Sequence, residues 1–301
     1  MMTQEAKRVE KNAPIRWGAG LSKVMILFTN HMDAWMVTAV IAFIALLLHE
    51  QISLRGIRLL SAVTALYWFG FALNDYYDVS YDALDEKKAR SNFFVQFPFS
   101  AKVAKALFWS MAALLVVAFV PFGGRGLMIV WMLLFAAWAY SSPPLRVKSR
   151  PGWDLLIHAT FVESYPYFAT IFILQVTWTG VDYLVLFLLL IASLGAQLEQ
   201  QARDFAVDAQ SDRNFTTTFG LPTTLLLLKI INSMIILLVI VGVATGTIPR
   251  LFIPFLLIAT PIILHRFIRK PDQPRSELLV NVSTIAAGTY AAVLLLMKLF
   301  G

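Results

Sequence analysis

Residues 57–82 read IRLLSAVTALYWFGFALNDYYDVSYD, an apolar run that ends in three aspartates. A helix of about 20 apolar residues crosses the hydrocarbon core of a bilayer, which is about 30 Å thick. On a helix that turns about 100° per residue, Asp75, Asp78 and Asp82 fall within about 60° of one another. The stretch therefore predicts a membrane-spanning helix with a stripe of three carboxylates at one end.

The whole chain has the composition of a protein that lipid surrounds. Of its 301 residues, 58% are hydrophobic and 14% are charged, whereas soluble chains are about 45–50% apolar and about 25% charged. The net charge of +7 arises from short basic clusters between apolar runs. This pattern favours the lipid bilayer as a partner and argues against nucleic acid. The chain contains no cysteine, which excludes disulfides and thiolate chemistry.

Nine apolar runs are long enough to span a bilayer as helices. The expected fold class is therefore all-α, a polytopic membrane protein with about nine transmembrane helices in one domain over 1–301. A polar segment over 1–20 precedes the first run. The runs are 24–48, 57–74, 103–122, 126–142, 154–177, 181–200, 222–245, 251–267 and 278–300.

The basic residues predict the orientation of these spans. With a cytoplasmic N-terminus, 19 Lys and Arg residues fall on the cytoplasmic side and 5 on the other side. Cytoplasmic loops of membrane proteins are enriched in Lys and Arg. The N-terminus has no pattern of a cleavable signal peptide or transit segment. We therefore expect a multi-pass protein of the cell (cytoplasmic) membrane with its N-terminus in the cytoplasm.

A second acidic stripe ends the sixth run, where Asp204, Asp208 and Asp212 are spaced four residues apart and share a helix face. Such carboxylates repel one another unless a cation compensates their charge. Hard oxygen ligands suit Mg²⁺, which often bridges carboxylates and substrate phosphates. One stripe alone also fits a solvated helix end. Two stripes at one membrane level predict a site for two or more Mg²⁺ ions and a diphosphate.

The fourth run leads into YSSPPLRVKSR over 140–150, which begins with Tyr140. The two prolines end the helix and favour an extended backbone. In an extended segment, Arg146, Lys148 and Arg150 point to one side and can bind a diphosphate. The alternative is the ordinary positive charge of a cytoplasmic loop.

The motif Asn-Asp-x-x-Asp-x-x-x-Asp over 74–82, the string over 140–150 and Asp-x-x-x-Asp over 204–208 resemble those of the UbiA superfamily of intramembrane prenyltransferases. The resemblance covers nearly the whole chain. It implies a helical bundle around a central cavity, capped by the loops after spans two and six and open laterally to lipid. It implies Mg²⁺ ligands at Asp75, Asp78, Asp82, Asp204 and Asp208, and diphosphate contacts at Asn74, Arg146, Lys148 and Arg150.

The sequence also departs from the superfamily pattern. Many relatives continue the first motif into an Asn…Arg-Pro sequence, whereas residues 85–91 here read DEKKARS, so that Arg90 is the candidate diphosphate contact. Many relatives have a glycine at or beside the position of Asp212, which we count as a further candidate metal ligand. Tyr140 is a candidate substrate contact, because an aromatic ring can stabilise a carbocation.

The expected function is Mg²⁺-dependent transfer of a prenyl group from a prenyl diphosphate donor to a lipophilic acceptor, an alkyl transfer in isoprenoid biosynthesis. The acceptor is a quinone or aromatic precursor, a carotenoid or a lipid alcohol. One alternative is a UbiA-type terpene cyclase, which needs no acceptor. Another alternative is a membrane transporter. The acidic residues argue against it, because they lie at one membrane face beside a cationic loop.

Two polar residues, His158 and Glu163, lie within the fifth apolar run. Charged groups in a membrane usually face a cavity or a partner. On an α-helix a spacing of five residues does not favour direct pairing. Glu163 either orients a polar acceptor or acts as a base, or it forms a hydrogen bond between helices.

Overall fold

The apolar runs of the sequence form helices. The computed structural model describes residues 25–211, 213–269 and 276–300, and within these ranges it contains no β-strand. The predicted N-terminal segment over 1–20 and Asp212 lie outside the described residues. The α-helices are α1 (Met32–Leu48), α2 (Leu54–Asp82), α3 (Glu86–Ser91), α4 (Phe93–Gln96), α5 (Ala101–Phe119), α6 (Gly123–Ser141), α7 (Trp153–His158), α8 (Tyr165–Leu174), α9 (Gly180–Ser211), α10 (Phe215–Phe219), α11 (Leu221–Ala244), α12 (Ile253–Ile268) and α13 (Glu277–Phe300).

Six helical stretches are long and apolar enough to cross a membrane, judged by length and composition, and Ala34–Leu48 is a shorter apolar helix. Large apolar side chains such as Trp109, Val117 and Leu237 are exposed on the outside, as expected where lipid is the solvent. The expected all-α fold class is confirmed, while the number of nine spans stays a prediction. The six stretches are Leu54–Asp82, Ala101–Ser141, Gly180–Ala209, Leu221–Ala244, Arg250–Ile268 and Glu277–Met297.

Local sequence signals set the helix boundaries. The Ser53 hydroxyl caps α2 by accepting a hydrogen bond from the Gly56 N–H at 3.2 Å. Asp85 caps α3 by accepting one from the Lys88 N–H at 2.9 Å. Asn214 and Thr217 form a capping box at the start of α10. At the other end of a helix, Pro143 and Pro144 follow α6, which ends at Ser141.

The long helices pack into a closed ring. Helix α1 contacts α2, α2 contacts α6, α6 contacts α7, and α7 contacts α9. Helix α9 contacts α11, α11 contacts α12, α12 contacts α13, and α13 returns to α1. A π-helical segment, Ala159–Ser164, joins α7 to α8 and packs against α9. The largest apolar core lies on one side of the ring and includes Leu66 of α2, Phe108 of α5, Leu133 of α6 and Ala169 of α8. The ring places the ends of α2 and α9 around one interior space.

A buried aspartate fastens the end of the ring that lies opposite the acidic stripes. Asp182, near the start of α9, is 1% exposed. Its carboxylate accepts hydrogen bonds from the Tyr167 hydroxyl at 2.7 Å and from the Thr179 N–H and hydroxyl at 2.6 and 2.8 Å. The Nε2 atom of His49 lies 2.7 Å from the same carboxylate. Because the buried charge is fully hydrogen-bonded, it ties α1, α8 and α9 together.

Gly56 provides a test of the packing between α2 and the loop before it. A β-carbon at this position would lie 2.1 Å from the carbonyl oxygen of Gln51. Rotation of a side chain cannot relieve a clash with backbone, so we expect Gly56→Ala to lower the free energy of unfolding by about 1–3 kcal/mol. The measurement is the Tm of the purified protein in detergent.

The matched control is Gly288→Ala in α13, where the added β-carbon has no described atom within 4 Å. This variant should keep or slightly raise the Tm, because alanine favours a helix over glycine by about 1 kcal/mol. Equal Tm values for the two variants would show that the close approach of α2 to Gln51 is wrong.

Candidate functional site

The ring of helices encloses a cavity of about 580 Å³, a volume typical of small-molecule sites, which span about 300–1,000 Å³. Its charged end is lined by the last turns of α2 and α9. Further along these helices its walls are mostly apolar and aromatic, with Leu66 and Phe71 of α2, Leu133 of α6 and Val280 of α13. The cavity therefore joins a strongly polar end to an apolar chamber.

The first acidic stripe is paired with the string that follows α6. The Asp78 carboxylate accepts a hydrogen bond from the Arg146 guanidinium at 3.1 Å and forms an ion pair with Lys148. The Lys148 ammonium also donates to Asn74 Oδ1 at 2.8 Å, and the Ser141 hydroxyl donates to the same atom at 3.0 Å. The structure thus brings Asn74, Asp78, Arg146 and Lys148 together, although they are far apart in the sequence.

The expectation that this string is extended is wrong. The Arg146 N–H donates to the Ser142 carbonyl at 2.8 Å, Arg146 has a φ of 33°, and Val147–Ser149 form a 3₁₀ turn. Because the backbone turns, the three cations do not share one side. The Arg146 guanidinium lies 4.4 Å from the centre of the Tyr81 ring and Lys148 lines the cavity, while Arg150 is exposed.

The other two aspartates of the first stripe are held by amide side chains and a histidine. Asp75 is buried, and its carboxylate accepts from Asn30 Nδ2 at 2.7 Å and lies 2.8 Å from His31 Nε2. Asp82 accepts from Asn92 Nδ2 at 2.7 Å, and the same amide donates to the Asp75 carbonyl at 2.8 Å. Sequence reasoning did not predict these three pairings. Asn92 carries a detectable signal, because it precedes the short α4 as an N-cap.

The second acidic stripe is paired with α3 and with the loop after α9. Asp204 lies 3.2 Å from the Lys88 ammonium and 3.1 Å from Nε of Arg203. Asp208 accepts a hydrogen bond from Asn214 Nδ2 at 2.9 Å. Burial lowers the pKa of Lys88, but the charges of Asp204 and Asp208 outweigh burial, so this pKa lies above its ordinary value. Lys88 is therefore a stable cation that bridges the two halves of the charged end.

The structure places the predicted contact Arg90 outside the cavity. Its side chain is exposed and pairs with Glu86 on the same short helix, whereas Lys88, two residues earlier, lines the cavity. Residues two apart on a helix point in different directions. Tyr140 does line the cavity, and its hydroxyl accepts from Gln197 Nε2 at 3.4 Å.

A second buried network positions the loop beside Asp208. Asp154 at the start of α7 is fully buried, and its Oδ2 accepts from Gln201 Nε2 at 2.6 Å and from the Phe215 N–H at 2.9 Å. The Gln201 Oε1 atom accepts from the Thr216 N–H at 3.0 Å and from its hydroxyl at 3.1 Å. These bonds connect α7, α9 and α10, and so they fix the loop that carries Asn214.

The charged end offers the donor chemistry that Mg²⁺ prefers, since its carboxylate and amide oxygens are hard ligands. In the described part of the chain, no group of three or more His, Cys, Asp or Glu side chains is close enough to hold a metal ion. Asp78 and Asp204 are instead neutralised by lysine and arginine. The residue types therefore fit the metal, and the assignment of each ligand stays a prediction.

The fold is similar to those of solved UbiA homologues. A UbiA homologue from Archaeoglobus fulgidus bound to GPP and Mg²⁺ matches with a TM-score of 0.71 and 17% sequence identity, over 90% of this chain and 97% of that chain. The apo structure of a UbiA homologue from Aeropyrum pernix K1 matches with a TM-score of 0.67 and 16% identity, over 86% of this chain and 97% of that chain.

The same Archaeoglobus fulgidus homologue bound to DMAPP and Mg²⁺ matches with a TM-score of 0.67 and 16% identity, over 89% of this chain and 96% of that chain. No protein-family model and no curated protein matches the sequence. At this level of identity the likeness shows the fold. The predicted resemblance to the UbiA superfamily is confirmed at that level, and the chain has the fold of a polytopic membrane protein.

Asn92 provides a test of the hydrogen bonds that hold α4 against α2 at the charged end. It is 1% exposed and joins α2 to α4, because its Oδ1 also accepts from the Phe94 N–H at 2.8 Å. Asn92→Ala leaves the Asp82 carboxylate and the Asp75 carbonyl without this donor. We expect it to lower the free energy of unfolding by about 2–4 kcal/mol, measured as a lower Tm and faster proteolysis between α2 and α5.

The matched control is Asn281→Ala, because Asn281 is exposed on α13. Its substitution should change the free energy of unfolding by less than about 0.5 kcal/mol. If Asn92→Ala were as stable and as protease-resistant as this control, Asn92 would not be what fastens α4 to α2.

Proposed function

We propose that this chain, which has the UbiA fold, is an Mg²⁺-dependent intramembrane prenyltransferase that moves a prenyl group from a prenyl diphosphate to a lipophilic acceptor. One observation carries the proposal: a single cavity combines two acidic stripes and two lysines at one end with apolar walls beyond them. An amphiphile with a diphosphate head and a hydrocarbon tail matches both parts. Solved proteins of similar fold bind DMAPP or GPP together with Mg²⁺, which supports this donor class and this metal.

The two acidic stripes are the proposed magnesium site. Their carboxylate oxygens suit a hard divalent cation, which commonly bridges carboxylates to substrate phosphates. When bound, Mg²⁺ supplies Lewis-acid stabilisation of the charge that develops on the leaving diphosphate. The proposed ligands are Asp75, Asp78, Asp82, Asp204 and Asp208, with Asp212 as a further candidate outside the described residues.

The cations around the stripes are the proposed diphosphate contacts. Lys148 and Lys88 both line the cavity and both already face carboxylates. A bound diphosphate offers each of them a second anionic partner, and charge-assisted hydrogen bonds to phosphate oxygens stabilise the leaving group. Asn74 holds the Lys148 ammonium from the other side. Arg146 pairs with Asp78 and contributes its positive charge through that contact. Arg90 and Arg150 are exposed and are weaker candidates.

The reaction that this arrangement supports is an ionisation followed by capture. The C–O bond of the donor breaks, and its electron pair leaves with the diphosphate. The acceptor supplies an electron pair to the resulting allylic cation, and a proton leaves the acceptor. The apolar walls exclude water that would quench the cation. The rings of Tyr67, Phe71 and Phe161, which line the cavity, can stabilise it through their faces.

The proposed location follows from the same fold. The acceptor and the tail of the donor enter from the lipid bilayer of the cell membrane, and the charged end faces the cytoplasm together with the N-terminus. This orientation rests on the distribution of Lys and Arg, of which 19 fall on the proposed cytoplasmic side.

The proposal is tested by measuring diphosphate release by the purified protein. The donors are geranyl, farnesyl and geranylgeranyl diphosphate, each with Mg²⁺, with and without a lipid extract of the native membrane. We expect release that depends on the extract, is abolished by EDTA and returns with Mg²⁺. Release without the extract that yields a cyclic hydrocarbon would instead identify a terpene cyclase.

The aspartate stripes give the first mutational prediction. Asp78→Ala and Asp208→Ala should each lower the rate of diphosphate release at least about 100-fold, because each removes a group that stabilises the charged transition state. The control is Glu50→Gln, a change at an exposed carboxylate that does not line the cavity. Size-exclusion profiles must match the wild type, and ordinary turnover in either aspartate variant would remove that residue from the site.

Lys88 and Arg90 give a second comparison, because they lie on the same short helix. Lys88→Ala should lower kcat/KM for the donor about 10-fold to 100-fold, since it removes a half-buried charge that lines the cavity beside the proposed diphosphate position. Arg90→Ala should change kcat/KM less than about threefold, as is typical of an exposed ion pair. A larger loss in Arg90→Ala than in Lys88→Ala would contradict the placement of these two side chains.

A further inference from the structure

Two arginines at the end of α12 lie buried beside one carboxylate of α9. Arg266 lies in the last turn of α12, and Arg269 directly follows that helix. Their side chains are 4% and 2% exposed, and the Glu199 side chain is 12% exposed. Arg266 Nε lies 3.4 Å from Glu199 Oε1, and Arg269 Nη2 donates to Glu199 Oε2. The cluster is separate from the cavity, because none of these three side chains lines it.

The cluster has one positive charge more than its own carboxylate neutralises. Among the described residues, Glu199 is the one acidic side chain that pairs with either arginine. Arginine stays protonated in proteins, so two guanidinium charges face a single carboxylate charge. A buried charge without a counter-charge is strongly unfavourable. The cluster therefore matches a ligand group with one negative charge.

The buried hydrogen-bond donors of the cluster lead to the same conclusion. Arg266 Nε and Nη2 and Arg269 Nε and Nη1 are buried and have no hydrogen-bond partner among the described residues. An ion pair that only ties α9 to α12 needs one guanidinium and leaves these donors unexplained. Buried polar groups of native proteins nearly always have a partner. Two planar guanidinium groups with free N–H donors match the oxygens of a phosphate group.

The position of the cluster favours a membrane phospholipid as the source of that phosphate group. Glu199 lies 17 residues after Asp182, about 26 Å along α9 at about 1.5 Å per residue. The cluster therefore lies near one face of a hydrocarbon core about 30 Å thick. Phe267 and Ile268, between the two arginines, are 44% and 81% exposed and can contact acyl chains. Basic pockets between membrane helices bind anionic lipid headgroups.

We propose that Arg266 and Arg269 form a binding site for the phosphodiester headgroup of an anionic phospholipid, separate from the proposed prenyl diphosphate site. The two guanidinium groups bind the phosphate oxygens. Glu199 orients both guanidinium groups and limits the charge that the site accepts. The proposal does not depend on the prenyltransferase function, because it concerns a different group of residues. A lipid bound there stabilises the docking of α12 against α9, the helix that carries the second acidic stripe.

The first test uses delipidated wild-type protein in dodecyl maltoside micelles. Phosphatidylglycerol, phosphatidylcholine with the same acyl chains, or inorganic phosphate is added. The Tm is measured during each titration, and native mass spectrometry measures the bound mass. We expect phosphatidylglycerol to raise the Tm saturably, because a ligand of the folded state stabilises it. Its apparent dissociation constant should be at least about 10-fold lower than that of phosphatidylcholine, whose headgroup carries a cation that the arginines repel.

The other outcomes of this titration are equally informative. Equal effects of the two lipids would overturn the proposal, since the site would not recognise headgroup charge. Stabilisation by inorganic phosphate without any effect of phosphatidylglycerol would overturn the lipid as the ligand and assign the site to a free anion.

Two variants separate a lipid site from an ion pair that only joins two helices. Arg269→Gln should raise the apparent dissociation constant for phosphatidylglycerol at least about 10-fold, because it removes charge-assisted hydrogen bonds to the phosphate. Glu199→Gln should lower this constant about 3-fold to 10-fold, because it removes the negative charge that competes with the headgroup. A purely structural ion pair predicts that both variants lower the Tm and that neither changes the effect of the lipid. That result would overturn the proposal.

Arg266→Lys keeps the test decisive if Arg269→Gln fails to fold. It retains the charge and loses the planar fork, so phosphatidylglycerol should bind about 3-fold to 10-fold more weakly. The matched control is Lys102→Gln, because Lys102 is an exposed cation at the start of α5, on the same proposed membrane side. It should leave lipid binding unchanged. A loss in Lys102→Gln as large as in the arginine variants would attribute binding to general surface charge and overturn the site.

Discussion

Charge compensation of the aspartates at the ends of α2 and α9 is the constraint on which the rest of the structure depends. Carboxylates that leave water lose solvation, and the loss must be offset by cations or by hydrogen-bond donors. Here Asp78 faces Arg146 and Lys148, and Asp204 faces Lys88. Each pairing joins a long helix to a segment outside the helices of the ring. The loops that close the cavity are therefore held by the same charges that a diphosphate and its metal ions would contact.

Hydrogen bonds compensate two further buried carboxylates, Asp154 and Asp182, which do not belong to the acidic stripes. Asp154, through Gln201 and the Phe215 N–H, fixes the loop that presents Asn214 to Asp208. Asp182 performs a similar function at the opposite end of α9, where its partners come from α1 and α8. Both carboxylates are buried, and both connect elements that the chain order keeps apart. Helix α9 is thus positioned at each end by a hydrogen-bonded acid, which sets where Asp204 and Asp208 stand.

The sequence predicts the helical fold and the two stripes well, because apolar length and helical spacing are local properties, but it predicts the helix limits less closely, since the run 154–177 is divided by the π-helical segment Ala159–Ser164. It also assigns Lys148 to the same predicted site as Asn74 and Asp78, which Lys148 contacts in the structure. It fails where the outcome depends on tertiary contacts. Arg150 and Arg90 have the right charge in the right loops, yet the turn over Val147–Ser149 and the direction of α3 leave them exposed. Asn30, His31 and Asn92 are ordinary polar residues in the sequence and become partners of the stripe only in the fold.

The π-helical segment Ala159–Ser164 shows most clearly why the lining of a cavity can escape sequence reasoning. A spacing of five between His158 and Glu163 argues against a shared face as long as the helix is α, and one change of register reverses that conclusion. The register is supported by Pro166, which is local, and by the Tyr67 hydroxyl, which comes from another helix. Which polar side chains line the chamber beyond the aspartates therefore depends on tertiary contacts as well as on the local sequence. The charged end and the Tyr67–Phe161 contact both depend on α2, so one helix carries the first acidic stripe and also holds the π-helical segment of the cavity wall.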